Sequence, residues 1–290
     1  MEQYTGRQIA IFADVHGLLE PAIAVLEDIK RRGITEIYSL GDNIGTGPNP
    51  KEVLELLIEH NVHMINGNNE EYVALGIEPF AFYFTEKKRR SEAWTLAQLT
   101  EEQVELLKKN KHSFDLYVGN KKIGLCHFAN DVRLDHGVYG VGNYQNAMKK
   151  GFREPGRQFY RTNSEIQKKE LERMLKDDRP ENKGYLSAKE DPIFEGKQVD
   201  YYDEIIQGHA HFRYLTDDGK IRVRTIRALG MGYDKDPNNT ASYIIIKERV
   251  DGGYDIEEVL VPYDREKMLE SIDRSTMPDK ETIEKYVQKR

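Results

Sequence analysis

Asp14 and His16 in "FADVHG", Asp42 in "LGDN", Asn68 in "NGNNE", His127 in "LCHF", and His209 and His211 in "QGHAHF" share two properties. Each offers an oxygen or imidazole donor, and each stands where a run that reads as a β-strand stops. Open sheets put their ligand sites at those strand ends. Singly the signals are weak, because Gly-Asp after a strand is a common turn and an isolated histidine is more often structural than a ligand. Together they describe one cavity lined by hard-to-borderline donors without a thiolate. Such a donor set suits Mn²⁺, Fe²⁺, Zn²⁺ or Ni²⁺, with Mn²⁺ the first expectation, and disfavours Cu(I). Seven donors exceed one tetrahedral site and suit two ions sharing a bridging carboxylate.

The elements that must position these residues follow from periodicity. "RQIAIFAD" is an apolar run ending at Asp14, and Leu19, Ile23, Leu26 and Ile29 then recur at helical spacing, predicting a helix over 18–32 closed by Gly33. "EIYSLGD" is a second strand. A second helix opens at "NPKEVLELLIEH", with Asn49 as N-cap, Pro50 at the first position and Glu52 placed for a capping box. "VHMING" is a third strand, and strand-helix-strand repetition with short connections predicts a mainly parallel sheet. Residues 86–111 read as one charged helical stretch. Strands resume at "KIGLCHF", "YDEIIQGH", "KIRVRTIRA" and "ASYIIIKER", with Asp218-Gly219 as a hairpin turn, and 263–274 and 278–290 are helix-like. Residues 131–199 break the rhythm. Rich in Gly, Tyr, Asn and basic residues, they read either as a lid or interface element or as a solvated helical hairpin within a single domain spanning 1–290.

Composition narrows the function classes. Hydrophobic residues make up 38%, charged residues 32%, and the net charge of -7 leaves no electrostatic footprint for long nucleic acid or an anionic membrane. Small anionic substrates are compatible with it. The single cysteine, Cys126, excludes an intramolecular disulfide and a thiolate cluster, and "KIGLCHF" suggests a buried strand thiol. No leader-like segment or membrane-length apolar run is present, so a cytoplasmic protein is expected. The oligomeric state is left open, a homodimer included. "GTGPNP" lacks the Gly-Lys-Ser/Thr of a phosphate-cradling loop.

"FADVHG", "LGDNIGTGPNP", "NGNNE", the strand-end His127 and "GHAHF" resemble the ordered D-x-H, G-D, G-N-x-[DE], H and G-H-x-H motifs of calcineurin-like metallophosphoesterases, with most similarity to the YfcE-like bacterial and archaeal branch. The resemblance implies an α/β fold, a four-layer αββα sandwich with 131–199 as a helical or loop insertion. It implies Asp14, His16 and His211 around one metal, Asn68, His127 and His209 around a second, and Asp42 bridging. It also implies hydrolysis of a small phosphate ester, whether phosphodiester, nucleotide-type or other, by water activated between the metals, with no serine or cysteine nucleophile.

Many members of that superfamily carry a histidine, thought to protonate the leaving oxygen, where this chain has Asn69. An amide can hydrogen-bond to a phosphoryl oxygen but cannot deliver a proton, so general acid catalysis is missing from its usual place. Three readings follow: substrates with good leaving groups, a proton from elsewhere with His136 as the nearby candidate, or a catalytically weak metal-binding interaction module on the same fold. Arg227 in "IRALGMGY" offers a cation for a substrate phosphate or for a surface ion pair.

Overall fold

The computed structural model describes residues 3–76, 85–127, 201–209, 211, 213–217, 222–231, 240–281 and 283–284. The 131–199 segment and His136 therefore lie outside the described residues, as does the Asp218-Gly219 turn.

Strand β1 (Tyr4–Phe12) is the keel of the first sheet because both faces of its Ile9–Phe12 half are apolar and buried. Helix α1 (Leu19–Arg31), β2 (Glu36–Ser39), α2 (Pro50–Glu59), β3 (His63–Met64) and α3 (Asn68–Leu75) follow. Two further helices, α4 (Glu86–Gln98) and α5 (Glu101–Lys109), precede β4 (Ser113–Val118) and β5 (Lys121–Cys126). Then come β6 (Glu204–Gln207), β7 (Tyr214–Asp217), β8 (Arg222–Thr225), β9 (Thr240–Arg249), β10 (Tyr254–Pro262) and α6 (Arg265–Arg274). Among the described residues the strands form two five-stranded sheets, β10-β9-β1-β2-β3 and β4-β5-β6-β8-β7. Four pairings are parallel and four antiparallel, so the sheets are mixed where the sequence predicts mainly parallel ones. The difference comes from the sheet edges: β4, β7, β9 and β10 join by antiparallel pairing around parallel centres.

Alternation along β1 decides the layering. Ile9 and Ile11 meet Ile123, Leu125 and Ile206 of the second sheet and Ile244 and Ile246 of β9, giving a core between the sheets. Ala10 and Phe12 point the other way, onto Ala22, Val25, Leu26 and Ile29 of α1 and Val53 and Leu57 of α2. Removing each such side chain from water contributes about 1.5–3 kcal/mol. The second sheet is also buried on both faces, with Cys126, Ile205, Gln207, Val223 and Thr225 on the side away from the inter-sheet core. These observations agree with the expected α/β class.

Local expectations hold unevenly. Helix α1 closes at Gly33, whose φ of 72° is the left-handed conformation that suits glycine. Asn49 is the N-cap of α2, but its side chain accepts from Ser271 Oγ at 2.8 Å instead of capping, and the expected box with Glu52 does not form. The single helix predicted over 86–111 is two, because Thr100 and Gln103 form a capping box that starts α5 afresh. Strands β4, β7 and β10 fall outside the expected strand runs. "SFDLYV" and "YDIEEVLVP" put acidic residues inside apolar runs, and β-pairing with β5 and β9 overrides that signal. His60, His63 and His112 sit away from the strand-end cluster: His60 bonds Leu56 O, His63 packs on Tyr38 and Phe114, and His112 faces Glu71.

Candidate metal centre

Five of the strand-end residues adopt a backbone conformation that side chains normally avoid. Asp14, His16, Asp42, His209 and His211 have φ between 52° and 68°. A non-glycine residue in this region is strained by about 1 kcal/mol or more, and such residues persist where surrounding structure holds them for a purpose. Here the holding is done by backbone hydrogen bonds between loops. Asp14 N donates to Gly41 O at 3.0 Å, His16 N to Asp42 O at 2.8 Å and Gly17 N to Asn43 O at 2.8 Å, zipping the β1 loop to the β2 loop. Gly208 N donates to His127 O at 2.9 Å, and His209 N donates to the Asp14 carboxylate at 2.9 Å, which ties the second sheet to the first.

Two glycines are required by space. A Cβ at Gly67 would lie 2.3 Å from Asp42 Oδ1, and one at Gly208 would lie 2.6 Å from the Ala13 Cβ and 2.8 Å from Asp14 Oδ2. Both therefore let a backbone approach a carboxylate that any side chain would displace.

The loops bring the donors into two groups, Asp14 with His16 and His211, and Asp42 with His127 and His209; within each, the ligand atoms lie within 4.8 Å of one another. His16 Nε2 and His211 Nε2 are 2.9 Å apart, with Asp14 Oδ1 3.6 Å from His211 Nε2. In the second group, His127 Nε2 is 3.1 Å from His209 Nδ1 and 3.2 Å from Asn68 Oδ1, which adds the asparagine to it. Asp42 Oδ2 lies 3.8 Å from His16 Nε2 and 3.5 Å from His127 Nε2, between the groups. The seven strand-end donors are thus gathered, with Asp42 Oδ2 between the two groups.

The electrostatics show what the groups are adapted to hold. Burial, with the His16 charge, holds His211 well below the usual imidazole range, and burial pushes His16 down to about 4 and, aided by His127, His209 down to about 3. These three rings are neutral at physiological pH, as ligation requires. Two neutral imidazole nitrogens 2.9 Å apart can share only one proton, whereas a cation accepts both lone pairs. Burial alone would also lower His127, but the Asp42 and Asp14 charges outweigh it and push it up to about 10. Burial tends to raise Asp42, yet His127, His16 and the Asn69 N–H hold it well below the usual carboxylate range. Burial and the Asp42 charge push Asp14 up to about 8. His127 Nδ1 lies 2.8 Å from Leu40 O and can donate to it, which aims Nε2 into the group. The donor set fits divalent metal.

Around the donors, Glu70 organises the loops, a role that its place after Asn68 and Asn69 does not reveal in the sequence. Its Oε2 accepts from Asp42 N and Gly67 N, both at 2.8 Å, and its Oε1 from Asn43 N at 2.6 Å and Ile44 N at 3.2 Å. One carboxylate thus shapes both the β2 and the β3 loops. Asn69 is buried: its Nδ2 donates to Asp42 Oδ2 at 2.6 Å, and its Oδ1 accepts from Lys88 Nζ at 2.9 Å. Lys88 was also missed, because "EKKRR" at the start of α4 looks like any solvated charged face. Arg227 pairs with Glu258 at 3.1 Å, on the same carboxylate that Arg213 approaches at 2.9 Å.

A family model for calcineurin-like phosphoesterases matches residues 7–256, a span that takes in every strand-end donor. The chain belongs to that family. It is accordingly a metal-dependent phosphoesterase, and its two donor groups are the candidate metal sites of this calcineurin-like phosphoesterase. The uncharacterised protein MJ0912 of Methanocaldococcus jannaschii is 28% identical over 284 residues, spanning 93% of this chain and 94% of that one. Two crystal structures share the fold. The hypothetical protein PH1004 from Pyrococcus horikoshii OT3 aligns with a TM-score of 0.62 at 15% identity, covering 97% of this chain and 98% of that one. A metallophosphoesterase from Sphaerobacter thermophilus aligns with a TM-score of 0.56 at 19% identity, again over 97% and 98%. Among the described residues, no helix is long and apolar enough to cross a membrane.

Proposed function

We propose that this phosphoesterase uses two divalent metals, Asp14, His16 and His211 holding one, Asn68, His127 and His209 the other, and Asp42 both. The observation that carries the reading is the position of Asp42 Oδ2, 3.8 Å from His16 Nε2 in one group and 3.5 Å from His127 Nε2 in the other. When bound, such a pair lowers the pKa of a water and stabilises the charge of an in-line displacement at phosphorus. The protein's own contribution is to hold the donors rigid. Glu70 fixes the loops, Leu40 O fixes the His127 tautomer, and the Asp14 carboxylate holds the His209 backbone. No side-chain nucleophile is needed. The substrate is a small phosphate ester, diester or nucleotide-type anhydride, Mn²⁺ is the first metal to test, and 131–199 belongs to the same domain and shapes selectivity. That the described residues keep all seven donors of the proposed set together supports this reading over the adaptor one.

The test is hydrolysis of bis-p-nitrophenyl phosphate and p-nitrophenyl phosphate by metal-stripped protein reloaded with Mn²⁺. Asp42→Asn is expected to lower turnover by at least a hundredfold, on the order of a lost transition-state charge contact. Metal-dependent turnover fully retained in Asp42→Asn refutes the bridging role.

A further inference from the structure

Asn69 stands between a carboxylate and an ammonium, and this fixes its amide at both ends. Nδ2 donates to Asp42 Oδ2 at 2.6 Å while Oδ1 accepts from Lys88 Nζ at 2.9 Å. Turning the amide over would set oxygen against carboxylate and nitrogen against ammonium. Lys88 is itself anchored. It pairs with Glu92 one turn along α4, and the Glu92 side chain is fully buried. A buried ion pair is a poor source of stability, so this one makes more sense as a means of placing a charge. The ammonium donates to Asn69 Oδ1 and forms an ion pair with Glu92, and 33% of the Lys88 side chain remains exposed for a further contact. The cation lies two hydrogen bonds from the oxygen that sits between the donor groups, over the Tyr72 ring at 5.3 Å.

Resting on the phosphoesterase reading above, we infer that Lys88 is the leaving-group residue of this site: seated on Glu92, it orients Asn69 and presents a fixed cation to a departing group that is already anionic. The substrate class this selects is the phosphoanhydride, as in a nucleoside diphosphate. In that reaction the oxygen of water forms the new P–O bond, its proton passes to solvent, and the anhydride P–O bond breaks with its electron pair on the departing phosphate. A departing phosphate needs no proton from the protein, which matches an amide at position 69. Lys88 acts partly through Asn69 and is a positioning residue as well as a charge.

The experiment measures kcat and KM for ADP and for p-nitrophenyl phosphate, whose ground-state leaving group is uncharged, in Mn²⁺-loaded wild type, Lys88→Met, Lys88→Gln and Lys88→Arg. Metal stoichiometry is read on each. Lys88→Met is expected to lower kcat/KM for ADP about tenfold more than for p-nitrophenyl phosphate, the worth of one hydrogen bond to a charged group. Lys88→Arg restores most of the ratio, and all variants bind metal as wild type does. Lys88→Gln, which keeps a donor to Asn69 without the charge, decides the matter if Lys88→Met does not fold. An equal fall on both substrates overturns the inference, since a merely structural role would act alike on both. So does a wild type that hydrolyses p-nitrophenyl phosphate but not ADP. A wild type inactive on every phosphate ester would instead refute the parent reading.

Discussion

Replacing Glu70 by Gln changes one atom and nothing in shape, and it should nonetheless disable the metal site. Each carboxylate oxygen of Glu70 accepts two backbone N–H groups, Asp42 and Gly67 on one side, Asn43 and Ile44 on the other. Burial and the Asp42 charge push this carboxyl up to about 7, yet a pocket of four N–H donors is satisfied by the ionised form. A glutamine can turn its oxygen to only one pair, leaving its NH2 against the other two donors. Two hydrogen bonds to a charged acceptor are lost, at about 1.5–3 kcal/mol each, so the variant should be destabilised by about 3–6 kcal/mol. For a chain of this size that lowers Tm by on the order of 10 °C. The damage is local to the loops carrying Asp42 and Asn68, so the stabilisation gained on adding Mn²⁺ to stripped protein should shrink as well. Thermal unfolding of Glu70→Gln with and without Mn²⁺, beside wild type, measures both effects. A Tm within about 2 °C of wild type together with an undiminished metal-induced shift would refute the account of Glu70 as the shaper of the two loops.

Gly67→Ala puts a Cβ 2.3 Å from Asp42 Oδ1, so it should cost about 1–3 kcal/mol and lower the metal content of the purified protein; full metal content at wild-type Tm would contradict this. Away from the site, burial tends to raise the Asp28 carboxyl, but hydrogen bonds from Tyr243 and Arg32 outweigh it and hold the group below its ordinary value. A depressed carboxylate contributes stability above its unfolded pKa and loses it as pH falls through the folded one. Wild type should therefore lose more stability than Asp28→Asn between about pH 4 and lower values, and parallel acid limbs in denaturant titrations would count against the assignment.

The legible part of this chain was the part whose chemistry is local in sequence. Asp14 and His16, or His209 and His211, announce themselves because donor type, spacing and a preceding apolar run all lie within a few residues. The apolar run of β1 that ends at Asp14 and the helix closed by Gly33 were readable for the same reason. Contacts that depend on distant elements were not. Lys88 reaches Asn69 from another helix, and Arg227 finds Glu258 on β10, so neither role is encoded near the residue. Strands β4 and β10 were missed because their acidic residues hide the alternation, and pairing with a neighbouring strand, which no local window contains, makes them strands.

Each donor group draws on both sheets. Asp14 and His16 follow β1 of the first, while their companion His211 belongs to the second; Asp42 follows β2 of the first, while His127 and His209 end β5 and β6 of the second. An ion in either group is therefore a rivet through the seam where Ile9, Ile11, Ile244 and Ile246 meet Ile123, Leu125 and Ile206. Chelation would be felt well beyond the loops, along the greasy interior of the sandwich, as two halves regained the freedom to breathe apart. On the two-metal reading proposed above, the catalytic centre and the clasp of the fold would be the same seven side chains, so loss of metal would loosen the architecture as well as silence the chemistry.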